Sequence, residues 1–301
     1  MGFVVSQTEF VTGSGRTIVH HQPDRVSGRR LQHTQREEGT VVATVKSDDG
    51  TLIDYDVEGS GPPVVLICAG PTDQSSNAEL ADLLAASCTV INYDRRGRGR
   101  SGDTAPYSVD REIEDLQAVV DSAAGPVALF GTSGGAFLAF RAAASGVPCA
   151  SIAVWEPPYI LPGSRPPVPD DYADRQAKLA EKGDTGAMAE LFLVTAVGMP
   201  AEMVTGMRQA PFWGFMEAAA SPALVYDAHL AGDFRLDPAQ QAKVTCPVLV
   251  LDGGTTPWLS KAAETVAAAT QAAERQTLAG QPHNVAAAAL APALAAFFTR
   301  S

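Results

Sequence analysis

The chain has 301 residues, of which 46% are hydrophobic and 19% charged, with a formal net charge of -12. That length admits one large domain with an insertion or two ordinary domains, and the acidic balance disfavours phosphate backbones and anionic lipid headgroups, so neither a nucleic-acid nor a membrane partner is expected. No run of about eighteen apolar residues is present to span a bilayer, and the short Phe3-Val4-Val5 stretch lacks the basic flank and long apolar run of a secretory signal, which predicts a cytoplasmic location.

Residues 1–38 carry Arg16, Arg25, Arg29, Arg30 and Arg36 without sustained periodicity and are read as a flexible N-terminal extension. His20, His21 and His33 lie there too, but lack the fixed spacing of a metal-ligand set, so no metal is expected. From Thr40 the pattern changes. Val41 to Val45 and Thr51 to Val57, separated by the turn around Asp48-Asp49-Gly50, predict a hairpin. Val64 to Cys68 is a continuous apolar run suited to a strand buried on both faces.

Ser76 with Glu79 reads as a capping box ahead of a helical stripe at Leu80, Leu83 and Leu84. Thr89 to Tyr93 is the next strand, and the Gly-rich Asp94 to Gly102 is a loop. Ser108 caps a helix that presents Ile113, Leu116, Val119 and Val120 on one face and ends by Gly125. Val127 to Phe130 is a strand, Gly134 to Ser145 a small-residue helix, and Ser151 to Trp155 a sixth strand.

The alternation stops at Glu156-Pro157-Pro158 and resumes at Cys246-Pro247 before the strand Val248 to Leu251. Between them lie about ninety residues with helical patches and no strand signal, whose aromatic content gathers at Phe212, Trp213, Phe215 and Tyr226. Thr256 caps a further helix with Pro257 at its first position, Gln276 to Leu278 is the last strand, and an Ala-rich helix ends near Phe298. The expectation is an α/β architecture: a mostly parallel eight-stranded sheet with helices on both faces, a core of residues 39–156 and 246–301, and an inserted helical cap over 157–245. Cys68, Cys88, Cys149 and Cys246 show no C-x-x-C spacing and are read as buried free thiols.

Chemistry concentrates at Gly131-Thr132-Ser133-Gly134-Gly135, a G-x-S-x-G between an apolar strand and an apolar helix. A strand-to-helix turn this tight forces the serine into strained angles and leaves no room for a Cβ two positions on either side, where glycines stand. A serine hydroxyl needs a base. Of the five histidines, only His283 follows the final strand, where its loop reaches the carboxyl edge of the sheet.

From about residue 40 onward the chain resembles the α/β-hydrolase family, in the order Ser133 then His283 with a cap between, and in the strand-ending Asp94-Arg95-Arg96-Gly97-Arg98-Gly99-Arg100-Ser101. The resemblance implies a buried acid that orients His283. The family most often places it after the strand Val248 to Leu251, where this chain has Thr256, which caps a helix but cannot compensate an imidazolium. Haloalkane dehalogenases of this superfamily carry theirs at the end of the sixth strand, where this chain has Glu156; only the acid's placement is shared, because their nucleophile is an aspartate. Glu156 is therefore the leading candidate, with Asp252 or no acid at all as alternatives. An oxyanion hole would take one N–H from Gly134 and another from the loop after Cys68, where Pro71 has none to offer and Thr72 is the candidate.

The segment Gly97-Arg98-Gly99-Arg100-Ser101-Gly102 also matches G-x-G-x-x-G, but it does not open into a helix, so no dinucleotide or other cofactor is expected. The reading that follows is a serine hydrolase acting through an acyl-enzyme on a small-molecule ester, lactone or thioester with an apolar body, contacted by Trp155, Phe212, Trp213 and Trp258. Thr256 and Pro71 leave open a cofactor-free C–C hydrolase, a decarboxylase or a perhydrolase-like enzyme on the same fold. A non-catalytic binding protein is the third reading.

Overall fold

The computed structural model describes residues 32–35 and 40–300. The strands are β1 (Gln32–Gln35), β2 (Val41–Lys46), β3 (Leu52–Gly59), β4 (Pro63–Ile67), β5 (Thr89–Tyr93), β6 (Ala128–Thr132), β7 (Ser151–Trp155), β8 (Val248–Asp252) and β9 (Ala273–Thr277). Among the described residues these form one sheet in the order β1-β2-β3-β5-β4-β6-β7-β8-β9. The first three join antiparallel, β3 meets β5 antiparallel, and every pairing from β5 through β4 to β9 is parallel.

The expected eight-stranded, mostly parallel sheet is present, with β1 added at its edge. Residues 32–35 belong to the segment read as an extension; the rest of that segment, with His20 and His21, lies outside the described residues. Four polar residues give no alternating apolar signal, yet backbone pairing with β2 requires none. The last strand sits a few residues earlier than Gln276 to Leu278, because Glu274, Arg275 and Gln276 are exposed on an edge strand and mask it.

The central strands are buried on both faces, as their unbroken apolar runs require. Val64 and Leu66 of β4 join one core with Phe130 and Trp155, while Val65 and Ile67 join the other with Leu129 and Val154. The first face is covered by α1 (Ala78–Leu84) and α11 (Ala287–Phe298), the second by α2 (Val109–Asp121), α3 (Gly135–Ala144) and α10 (Pro257–Ala269). Ser108 accepts from the Arg111 N–H at the start of α2, as expected. The Ser76–Glu79 capping box does not form. Asp73 captures the Ser75 N–H first, residues 74–77 wind a 3₁₀ turn, and α1 starts after Asn77, an N-cap residue that makes no side-chain capping bond.

Between β7 and β8 the described chain has no strand. It forms α4 (Tyr172–Glu181), α5 (Thr185–Leu191), a π-helical stretch (Phe192–Val197), α6 (Ala201–Met207), α7 (Trp213–Ala220), α8 (Ala223–Ala231) and α9 (Pro238–Gln241). This insertion packs on α3 through aromatic edges: Phe137 meets Tyr159 at 4.8 Å and Phe234 at 5.7 Å between ring centroids. No helix among the described residues is long and apolar enough to cross a membrane. All four cysteines are free thiols. Cys68 and Cys88 are buried, whereas Cys149 and Cys246 are only half-buried, with sulfurs 3.4 Å apart before β7 and β8.

Candidate active site

The parallel order reverses at β4, whose neighbours β5 and β6 are reached in opposite directions, and ligands of such sheets bind outside the strand ends at that point. Ser133 stands there, between β6 and α3, with φ 49°, a left-handed conformation costly for a residue with a Cβ. Its own N–H is anchored on the Trp155 carbonyl at 2.8 Å. The flanking glycines are required by contact: a Cβ on Gly131 would lie 2.6 Å from the Gly135 carbonyl oxygen, and one on Gly135 would lie 2.5 Å from that of Ile67.

His283 Nε2 lies 3.1 Å from Ser133 Oγ, and His283 Nδ1 lies 2.7 Å from Glu156 Oε2. Glu156 is fully buried, itself at φ 44°, and its second oxygen accepts from the Gly253 N–H at 3.0 Å. A carboxylate only accepts, so Nδ1 carries the hydrogen toward Glu156 and Nε2 turns its lone pair to the serine. The histidine loop is fixed from below by the Trp155 indole, which donates to the His283 carbonyl at 2.8 Å. It also lies so close to the end of β8 that a Cβ on Gly253 would fall 1.8 Å from the Gln281 carbonyl oxygen.

Asp252, the alternative acid, is occupied elsewhere. Its carboxylate accepts from Arg275 Nε at 2.8 Å, Ser260 at 3.0 Å, Thr277 at 3.1 Å and the Gly254 N–H at 3.1 Å, which ties β8, β9 and α10 together. Thr256 occupies the N-cap of α10 without a side-chain capping bond, and Pro257 follows at the first position.

Above Ser133 is a cavity of about 150 Å³ lined mainly by apolar side chains, among them Phe137, Tyr172, Phe192, Phe234, Trp258 and Leu259. Trp258 is thus at the cavity. Three other aromatics are not. Trp155 is completely buried beneath the site, Trp213 packs inside the insertion with Ala189, Leu193 and Val204, and Phe212 points to solvent at 43% exposure. Their correction has one cause: aromatic density marks apolar surface, and in the insertion most of that surface is its own core.

Gly134 lines the cavity beside Ser133, and from the loop after β4 it is Gly70, not Thr72, that does so. Among the described residues neither the Gly70 nor the Gly134 N–H has a hydrogen-bond acceptor. Thr72 instead turns its hydroxyl back to donate to the Ala69 carbonyl at 2.7 Å. Pro71 costs nothing here, because the open amide precedes it.

A group that the sequence did not point to is Asp227 of α8, which lines the cavity. Its Oδ1 receives Arg98 Nη2 at 2.6 Å and Arg95 Nη1 at 2.8 Å. Arg95 continues to Glu112 at 2.6 Å; burial works against its charge, but the Glu112 and Asp227 carboxylates outweigh that and hold its pKa well above the ordinary value. The segment that matches a dinucleotide fingerprint folds onto its own strand: buried Asp94 accepts from the Gln74 and Arg100 N–H groups, and Gly102 donates to the Leu52 carbonyl. Among the described residues, no group of three or more His, Cys, Asp or Glu is arranged to hold a metal ion.

A doubly wound sheet with a strained serine at its switch point, in hydrogen-bond contact with a histidine from the loop after the last strand, defines an α/β-hydrolase architecture. The chain matches the alpha/beta hydrolase family over residues 64–294 and belongs to that family. An alpha/beta hydrolase from Sphaerobacter thermophilus superposes with a TM-score of 0.80 at 47% identity, covering 85% of this chain and all of that one. The lipase LipV of Mycobacterium tuberculosis is 32% identical over 61% of this chain and 72% of its own length. The uncharacterized hydrolase YraK of Bacillus subtilis is 34% identical, but the match spans only 30% of this chain and 34% of that protein.

Proposed function

We propose that this protein is a serine esterase that cleaves a small apolar ester, lactone or thioester through an acyl-enzyme. The observation that carries the reading is the continuous chain Ser133 Oγ, His283 Nε2, His283 Nδ1 and Glu156 Oε2, with links of 3.1 and 2.7 Å, beneath an apolar cavity. The serine oxygen attacks the substrate carbonyl carbon while its proton passes to His283 Nε2, and the imidazolium that forms lies against Glu156. The oxyanion is received by the N–H groups of Gly70 and Gly134, two residues that line the cavity and whose amides have no acceptor among the described residues. The tetrahedral intermediate collapses as His283 returns the proton to the leaving oxygen or sulfur. Water then repeats the sequence on the acyl-serine and releases the acid.

The aligned relative named a lipase, LipV, supports ester chemistry. The cavity volume of about 150 Å³ lies below the several hundred Å³ usual for drug-sized ligands, which favours short acyl groups. The bond from Glu156 to the imidazole supports acyl transfer from Ser133 and removes the incomplete triad on which the C–C-cleaving, decarboxylating and perhydrolase-like readings partly drew. The insertion, whose α8 and π-helical stretch supply much of the cavity wall, acts as the substrate cap.

A fluorophosphonate probe is expected to label the wild-type protein at Ser133 and to leave Ser133→Ala unlabelled; absence of labelling in folded wild-type protein would sink the esterase reading in favour of a binding role. With p-nitrophenyl esters, kcat/KM is expected to be greatest for acetate to butyrate and to fall at least about tenfold by decanoate, one decade corresponding to about 1.4 kcal/mol. A rising series would refute the short-acyl assignment.

A further inference from the structure

The loop that supplies the second open amide is held by groups outside the triad. Its peptide units have two ends, and in a trans peptide the carbonyl and N–H point in opposite directions. The Ala69 carbonyl is taken by the Thr72 hydroxyl, which turns the Gly70 N–H the other way. The next carbonyl, that of Gly70, accepts from Arg98 Nη1; the same nitrogen lies 3.4 Å from the Thr72 carbonyl, and Arg95 Nη1 donates to the Cys68 carbonyl at 3.2 Å. Every carbonyl from Cys68 to Thr72 but that of Pro71 is thereby held by a donor.

Gly70 sits at φ 61° and, having no Cβ, can rotate into other conformations at little cost. A rotated loop would present a carbonyl, not an N–H, to the position where negative charge develops. One orientation is selected from both sides, by the Thr72 hydroxyl on the Ala69 carbonyl and by the guanidinium of Arg98 on the Gly70 carbonyl, and Arg98 is itself aimed by Asp227, 2.6 Å away on α8 of the insertion. Both arginines are almost fully buried, so this carboxylate is their nearest means of charge compensation on the cavity side.

We infer that Arg98 is a positioning residue of the oxyanion site, and that Asp227 anchors it from the insertion, so that the cap and the amide of Gly70 are set by one buried ion pair. The inference rests on the esterase reading, since it assigns Gly70 to the oxyanion of an acyl transfer. Neither side chain touches the reacting atoms. Their contribution is realised only when charge accumulates on the substrate oxygen, so their loss should lower kcat and leave KM nearly untouched.

The test uses p-nitrophenyl acetate hydrolysis and inhibition by an aryl trifluoromethyl ketone, whose serine adduct carries an oxyanion. Losing an oxyanion donor outright costs about 10²–10³ in kcat, so a loop freed to rotate should cost about 10- to 100-fold. Arg98→Gln is expected to lower kcat by that factor, with KM within about threefold, and to weaken the ketone in proportion. Arg98→Lys, a point charge without the planar fork, should recover only part of the loss. Asp227→Asn keeps the volume and both arginines and is expected to lower kcat about 3- to 10-fold with the same KM pattern. It also serves as the decisive variant where Arg98→Gln fails to fold. Wild-type esterase activity together with unchanged kcat in Asp227→Asn, or a loss expressed as raised KM with ketone affinity intact, would overturn the inference and leave the esterase reading standing. Absence of any wild-type hydrolysis or Ser133 labelling would instead strike the esterase reading itself.

Discussion

Two buried carboxylates at the ends of neighbouring strands, Glu156 and Asp252, have different work. Glu156 spends one oxygen on a backbone N–H and the other on the imidazole, so Glu156→Gln removes the acceptor that fixes the histidine tautomer. It is expected to lower kcat on p-nitrophenyl esters by about 10³-fold or more without a comparable change in stability. Asp252 meets four donors from three elements, and Asp252→Asn leaves Arg275 without its charge partner. Because Asp252 is buried but Arg275 is exposed, that change should cost about 1–2 kcal/mol, seen as a melting-temperature drop of roughly 2–4 °C, while kcat of the folded fraction stays within about threefold. Equal loss of kcat in both variants would show that the two roles had been wrongly separated. Ser133 and His283 were legible in the sequence because few residues can do their chemistry and the strand order left each one place to stand, whereas Glu156 was one of two candidate acids and its place after the sixth strand came from the family resemblance. Gly70 and Asp227 were not legible. An amide donor has no side-chain signature, and an aspartate on a helix of the insertion looks like solvent-facing polarity until its partners are in place.

The element that brings the histidine to the serine is the loop after β9, and its approach depends on Gly253 having no side chain. Gly253→Ala must push the Gln281 carbonyl away and carry His283 with it, so activity should fall at least about tenfold with a smaller effect on the melting temperature; unchanged kcat would show that the loop relaxes freely. On the other side of the sheet, the turn between β2 and β3 is fastened to α2 through Arg96, which bridges Asp49 at 3.0 Å and Asp115 at 2.6 Å. Burial pulls the Asp49 pKa upward, but hydrogen bonds from Thr51 and Arg96 outweigh it and lower the value from 3.8 to about 2. The folded chain therefore binds less proton at Asp49 than the unfolded chain does. The contribution is complete above the unfolded value and is lost as pH falls from about 4 toward 2. The melting-temperature difference between wild type and Asp49→Asn should accordingly shrink over that interval and stay constant above pH 5; a difference that grows on acidification would refute it. The hairpin was legible from its turn and alternation. The strands β1 and β9 were hidden or displaced because edge strands pair through backbone and need no apolar pattern.

For the molecule as a whole, the sheet was readable because a strand buried on both faces has to be an uninterrupted apolar run, and β4, β6, β7 and β8 all are. The insertion was readable only as a gap in that rhythm: its helices and its π-helical stretch gave no message about which faces line the cavity. It leaves at the carboxyl end of β7 and returns at the amino end of β8, and because these strands pair in parallel its two ends lie at opposite edges of the sheet. A segment from another protein spliced between the same two points must therefore both cover the carboxyl edge and cross back to the amino edge, as any connection between parallel strands does. The join has one electrostatic condition as well, because the scaffold keeps Arg95 and Arg98 whatever is spliced in. A donor segment that places no carboxylate where Asp227 stands would leave two interior cations short of a counter-ion. Chimeras should therefore sort by that single position more than by how closely the exchanged helices resemble the originals.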